Sequence, residues 1–249
     1  MTNQQTDRFS PAHHALLFGW ISKAVFDRVD EKRAEAAIRK AVRRYGEERG
    51  GRMALRAEAN GHKLTMVNYL VYGEWQAGPG ETSQQVIAKV PHVVAHVHKC
   101  PWHETWMENN LLPYGQLYCQ EVDEALMRGF NPDLQIDVNG TKSEGEKHCE
   151  FVFHDANLGF INTLLLGYRK AIRPAGNAVM PWDYHLGHLY KTMGEVVSEE
   201  LGELGVEAMD AALQEFNKSF GEDAGAVIRA YSGTDFNRLP IGVVIRDDD

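Results

Sequence analysis

Residues 84–100, QQVIAKVPHVVAHVHKC, alternate apolar and polar side chains, are rich in Val and carry a proline in the middle. A period of two does not fit a helix, so this stretch reads as a strand, or as a pair of strands broken at Pro91. Further along, LQIDVNGTK and KHCEFVFH read as the two strands of a hairpin around SEGE. Between these two strand regions, Pro113 takes the first turn of a helix, PYGQLYCQEVDEALMR, which Gly129 is expected to close.

Outside this block the period is helical. Pro11 opens a helix through AHHALLFGWISKAVFDRV, and a second is expected from Glu31 to about Tyr45. Gly46 should stop that helix, and the Glu-rich turn after it should start another. Pro181 begins PWDYHLGHLYKTMGEVVSEELG, VEAMDAALQEFNKSFG follows, and GEDAGAVIRA restarts after Gly221. The resulting expectation is an α+β fold: a small antiparallel sheet with a packed central helix, flanked by N- and C-terminal helical arms. No linker is visible. The layout is therefore a single domain over 1–249, with a flexible tail at 1–10, an N-terminal arm at 12–75, a strand–helix–hairpin core at 84–155 and a C-terminal arm at 181–232. GFINTLLLGYRKAIRPAGNAVM reads as a helix and loop crossing from the sheet to the second arm. Around Gly176 and Asn177 it is a plain connection, or else a lid.

Laid 175 positions apart, Tyr45-Gly46-Glu47 falls on Phe220-Gly221-Glu222, Gly50 on Gly225 and His13 on His188. Two similar helical arms would produce this match. So would chance, because helix–Gly–Glu is common punctuation.

Composition excludes several classes. A formal net charge of −9 argues against nucleic acid or an anionic membrane surface as partner. The densest basic run, Arg39, Lys40, Arg43 and Arg44, sits beside acidic neighbours and reads as a solvated helix face. MTNQQTDRFSP has no apolar core and does not read as a secretory signal. Three cysteines, an odd number, argue against a disulfide framework and for a reducing, cytoplasmic setting. The expected partner is a small-molecule substrate, with room for a homo-oligomer. The chain has no Walker loop, no GxGxxG after a strand and no GxSxG elbow, which disfavours nucleotide enzymes and serine hydrolases.

The reactive side chains gather in the middle of the chain. Counting back from Cys100, one strand face collects His98, His96 and His92, while Val93, Ala95 and Val97 line the other. His92 and His96 read as solvated; His98 and Cys100, at the strand end, read as site candidates. Cys119 and Asp123, four apart on the helix, share a face that Leu112, Val122 and Leu126 mark as inward. A carboxylate there must find a partner or shift its pKa upward. Cys149, Phe151 and Phe153 share one face of the hairpin, so Cys149 should point toward the helix that carries Cys119. Each cysteine alone could simply fill space. Convergence of three with Asp123 and with His98 or His103 favours a site. The spacing fits no standard zinc finger, and His185 with His188 lacks the HExxH arrangement.

KCPWHETW followed by YCQEVDEALMRGFNPDLQIDVNGTKSEGEKHCEFVF resembles the L-2-amino-thiazoline-4-carboxylic acid hydrolase family. The motifs are Cys100-Pro101-Trp102, Cys119 with Asp123, the turn from Gly129 to Pro132, and Gly145 with Cys149 and Phe151. The resemblance is specific over about 95–155 and looser over the arms; 157–182 and the tail after Tyr231 match nothing in it.

The resemblance implies a hydrolase that opens a C–N bond in a small, cyclic, nitrogen-containing substrate. The residues allow a cysteine thiolate that attacks the ring carbon, with a nearby histidine raising the thiolate fraction and Asp123 orienting it. They also allow a metal-bound water with Asp123 as base. The odd spacing favours the thiolate. Catalytic candidates are Cys100, Cys119, Asp123, Cys149, His98 and His103; substrate-binding candidates are Trp102, Trp106, His154, Trp182, His185 and His188. Zinc or iron, if bound at all, would be held among Cys100, Cys119, Cys149, His185 and His188. Lys99 or Arg169 could meet a substrate carboxylate. The alternatives are a non-catalytic small-molecule-binding or sensor domain, and a Cys/His metal-binding enzyme of another class.

Overall fold

The computed structural model describes residues 8–171 and 178–240. Among these the fold is α+β, with nine α-helices, one short 3-10 turn and one four-stranded antiparallel sheet. The proposed lid at residues 176 and 177 and most of the N-terminal tail lie outside the described residues.

The chain divides into two compact units, each assembled from separated segments. The first runs up to Ala41 and adds Pro101–Gly115 and Pro181–Thr234. It contains α1 (Pro11–Phe26), the start of α2 (Glu31–Glu58), α4 (Pro101–Glu108), the start of α5 (Leu112–Phe130), α7 (Trp182–Leu201), α8 (Glu203–Phe220) and α9 (Glu222–Arg229). Helix α1 packs on α4, α7 and α8, burying Leu17, Phe18 and Ile21 completely. The two arms read from the sequence are therefore not separate bodies, since parts of both build this unit. Their glycine punctuation is not equivalent either. Gly221 breaks the chain between α8 and α9 at φ +90°, where a side chain would be strained, whereas Gly46 lies inside the 28-residue helix α2.

The second unit comprises Val42–Cys100, Gln116–Met180 and the chain from Asp235. It holds the rest of α2 and α5, α3 (Met66–Val71), α6 (Phe160–Ala171) and the sheet. Strands β1 (Ser83–Ala88), β2 (Val93–Lys99), β3 (Ile136–Val138) and β4 (Cys149–Phe153) are ordered β1-β2-β4-β3. Pro91 does separate two strands. The register pairs Val97 with Cys149, Ala95 with Phe151, and Phe153 with both Val93 and Ile136. Paired residues share a face, so Val93, Val97, Cys149, Phe151, Phe153 and Ile136 point one way. That face covers the core, where Tyr69 meets Phe130 and Phe153 at ring-centroid distances of 5.6 and 6.4 Å.

Gly129 stands one residue before α5 ends at Phe130, as expected, but Gly46 is a helix interior, and the reason is steric. A Cβ on Gly46 would lie 2.7 Å from that of Ala125, and one on Gly129 would lie 2.2 Å from the Glu47 carbonyl oxygen. Glycine here lets α2 and α5 cross backbone to backbone. No new helix starts in the Glu-rich turn, because α2 continues through it to Glu58.

Candidate functional site

Helix α5 sets Cys119 and Asp123 one turn apart, and β4 presents Cys149 on the core-facing side of the sheet. The thiols of Cys100 and Cys149 and the carboxyl of Asp123 all act electrostatically on Cys119, so these groups form one neighbourhood. No disulfide joins any of the three cysteines. Cys119 and Asp123 are half-buried residues whose reactive groups are surrounded by protein.

This setting decides the protonation states. Burial pushes Asp123 up to about 6; the Arg49 guanidinium pulls the other way and Glu124 adds to the rise. Burial pushes the Cys119 thiol well above its ordinary value. A hydrogen bond from Ser143 opposes that, and Cys100, Cys149 and Asp123 reinforce it. Burial also raises Cys149, but the Lys142 backbone N–H donates to its Sγ at 3.3 Å and the Lys142 charge adds to this opposing pull. Both Cys119 and Cys149 therefore rest as thiols, contrary to the expectation of a histidine-activated thiolate. His98 cannot act on Cys149 directly. Sheet alternation puts it on the opposite face, where its ring lies 5.4 Å from His148 and 6.1 Å from His96. The alternation of His96 and His98 against Val93, Ala95 and Val97 is as expected, but Cys100 does not share the histidine face, because β2 ends at Lys99 and the chain turns before α4 begins at Pro101. His154 also lies away from the thiols, bonded through Nε2 to Asp137 Oδ2 at 2.7 Å.

Beside the thiols lies a buried charge cluster that the sequence reading missed. Arg52 grips Glu74 with two bonds, Nε to Oε1 at 3.1 Å and Nη2 to Oε2 at 2.8 Å, and Arg56 adds a third at 3.3 Å. Burial alone would raise the Glu74 carboxyl; Arg52, Arg56 and Arg49 outweigh it and hold Glu74 below the ordinary range. Arg49, 2% exposed, stands 3.8 Å from Glu74, with Trp75 stacked 3.5 Å from its Cζ. Among the described residues no hydrogen bond reaches its Nε. Arg49 acts on Asp123, Tyr69 and Tyr118 alike. Three buried guanidiniums surround Glu74, and Arg49 also acts on Asp123, so among the described residues they outnumber these two carboxyls. The spacing i, i+3, i+7 of Arg49, Arg52 and Arg56 on one helix face was the available signal.

The cations expected for a substrate carboxylate are engaged elsewhere. Lys99 Nζ donates to the Gly80 carbonyl at 2.8 Å, and Arg169 donates to Asn68 Oδ1 at 2.5 Å.

The remaining candidates fall in the first unit. Trp106 is fully buried and donates to the Ala15 carbonyl at 2.7 Å; Trp102 donates to His14 Nδ1 at 3.1 Å. The Trp182 ring lies 5.8 Å from Trp102 and 5.3 Å from His185. His185 and His188 are completely buried in this unit. His103 lies in α4, also in the first unit. The expected metal ligands do not assemble. Among the described residues the three sulfurs do not come within 4.8 Å of one another, and His185 and His188 gain no third ligand atom that close.

These features define an α+β protein that gathers thiols, an elevated carboxyl and buried guanidinium charge beneath the core-facing side of a small sheet. The chain belongs to the L-2-amino-thiazoline-4-carboxylic acid hydrolase family, whose model matches residues 12–153, more than half its length. Searches of curated proteins and of solved structures return no significant match. Among the described residues no helix is long and apolar enough to cross a membrane.

Proposed function

We propose that the protein hydrolyses a C–N bond in a small, cyclic, carboxylate-bearing substrate, with Cys149 as nucleophile, Asp123 as acid–base and Arg49 as carboxylate anchor. The carrying observation is that Asp123, pushed up to about 6, shares its surroundings with Cys149, Cys119 and the unbonded Arg49 Nε. The family's name supplies the reaction class and a substrate that bears a carboxylate.

Cys149 is preferred to Cys119 because an N–H donor and a nearby ammonium already favour its anionic form. The thiol proton passes to the Asp123 carboxylate as sulfur bonds to the ring carbon and the C=N electron pair moves to nitrogen. Asp123 protonates that nitrogen, and the ring C–N bond breaks as the exocyclic nitrogen's lone pair forms a new C=N bond and its proton passes to the departing amine. Water adds to the sulfur-bound carbon as Asp123 takes its proton; the carbon–sulfur bond then breaks and the proton returns from Asp123 to the leaving Cys149 thiolate, so one water is consumed. Burial raises the thiol while Asp123 stands near 6, so this proton transfer runs uphill, and the Lys142 N–H and ammonium lower its cost.

The test is turnover of L-2-amino-thiazoline-4-carboxylate by the intact protein and by Cys149→Ala, Cys119→Ala and Asp123→Asn. Cys149→Ala and Asp123→Asn should each lose ~10²-fold or more in kcat, and Cys119→Ala much less. Wild-type kcat in a folded Cys149→Ala variant, or no turnover by the intact protein, refutes the proposal.

A further inference from the structure

The sheet's other face carries a second constellation that the hydrolase reading does not use. β2 presents His96 and His98 two positions apart, and its neighbour β4 presents Glu150 opposite His96, with His148 one position before the strand. Alternation puts all four side chains on one face, two from each of two adjacent segments. His96 Nε2 lies 2.9 Å from Glu150 Oε2, and the His96 and His148 rings stack with centroids 3.8 Å apart. One ligand atom from each of His96, His148 and Glu150 lies within 4.8 Å of the other two, which no other three His, Cys, Asp or Glu among the described residues achieve. All three are half-buried, so an ion from solvent can reach them.

We propose that His96, His148 and Glu150 bind a divalent transition-metal ion, zinc foremost, with His98 as the fourth ligand. Two imidazoles and a carboxylate suit zinc, copper or nickel and not calcium or magnesium, which prefer all-oxygen cages. Tetrahedral zinc at ~2.0–2.1 Å from each donor sets donor atoms about 3.3 Å apart, so pairs within 4.8 Å of one another need close by at most about 1.5 Å, while the His96–Glu150 pair at 2.9 Å opens slightly. One further movement is required. Stacked rings, here 23° from parallel, cannot both aim an in-plane lone pair at one ion, so His148 must turn out of the stack toward His98. Asn139 Nδ2, 3.1 Å from Glu150 Oε1, orients the carboxylate. The site is independent of the thiols, because it lies on the opposite side of the sheet from Cys149.

The experiment titrates zinc chloride into the full chain against a chromophoric chelator, and cobalt chloride in parallel for visible and near-ultraviolet absorption. The expected result is one zinc per chain, weakened roughly tenfold or more by His96→Ala and by His148→Ala. Cobalt should give weak d–d bands without the intense near-ultraviolet absorption of a cobalt–thiolate bond. Zinc binding unchanged in a His96→Ala/His148→Ala double variant, a thiolate band in the cobalt spectrum of the unmodified protein, or no stoichiometric binding would each overturn the proposal. The cobalt arm needs no variant, so a misfolded mutant cannot rescue the idea.

Discussion

A Cβ on Gly50 would sit 2.1 Å from the Leu126 carbonyl oxygen, so α2 and α5 can cross only where α2 has no side chain. At the next residue, Gly51, the nearest atom to such a Cβ is 4.0 Å away. Gly50→Ala should therefore destabilise the protein by roughly 2–4 kcal/mol, because backbone must move. Gly51→Ala should stabilise it by roughly 0.5–1 kcal/mol, the usual gain in a helix interior. Chemical denaturation of both variants checks the contrast.

Glu74 forms ion pairs with three buried guanidiniums. Glu74→Gln should cost about 3–5 kcal/mol, the usual result of stranding buried charge. The carboxyl is held below its ordinary range in the fold, so its stabilisation is complete above that range and is lost as pH falls. Urea unfolding of wild type and variant at pH 7 and pH 4 should show the gap narrowing in acid.

Asp123 behaves the other way. Its folded pKa, about 6, exceeds the ordinary 3.8. Its stabilising contribution is therefore complete below about 4 and is lost as pH rises through 6. Asp123→Asn should gain about 2–3 kcal/mol on wild type between pH 4 and pH 8. As a base, Asp123 must be ionised, so kcat/KM should fall below about pH 6. Parallel stability curves for the two proteins would contradict the assignment of that pKa.

Arg49 lies within reach of Asp123 electrostatically and makes no hydrogen bond through Nε. Arg49→Lys keeps the charge and loses the planar fork that matches a carboxylate. KM for the thiazoline carboxylate should rise about tenfold or more while kcat changes little, which steady-state kinetics will separate.

Much of this arrangement was legible because strand alternation is a local rule. The faces bearing Cys149, Phe151 and Phe153, and the opposing Ile136, came directly from a period of two. The rule failed where the strand ended: beyond Lys99 the chain turns, and Cys100 leaves the histidine face. Gly46 was misread because a glycine that ends a helix and one that lets two helices touch look alike in sequence. Only the partner backbone distinguishes them. Arg49 was hidden in a run of charges, EERGGR, that resembles a solvated face, and its counter-ion Glu74 lies in VYGEWQAG, a segment with no period to mark it. The upward shift of Asp123 was legible from its inward face, but the protonation of the cysteines was not, because it depends on burial and on distances between segments.

The central claim is a covalent intermediate on Cys149. Intact-protein and peptide mass spectrometry of a rapid acid quench during turnover of L-2-amino-thiazoline-4-carboxylate tests it directly. The account predicts a substrate-derived mass increment on the peptide containing Cys149, enriched in Asp123→Asn if ring attack survives, and absent from Cys149→Ala. An increment on Cys119 or Cys100 instead, or steady turnover by Cys149→Ala with no adduct on any cysteine, would contradict it.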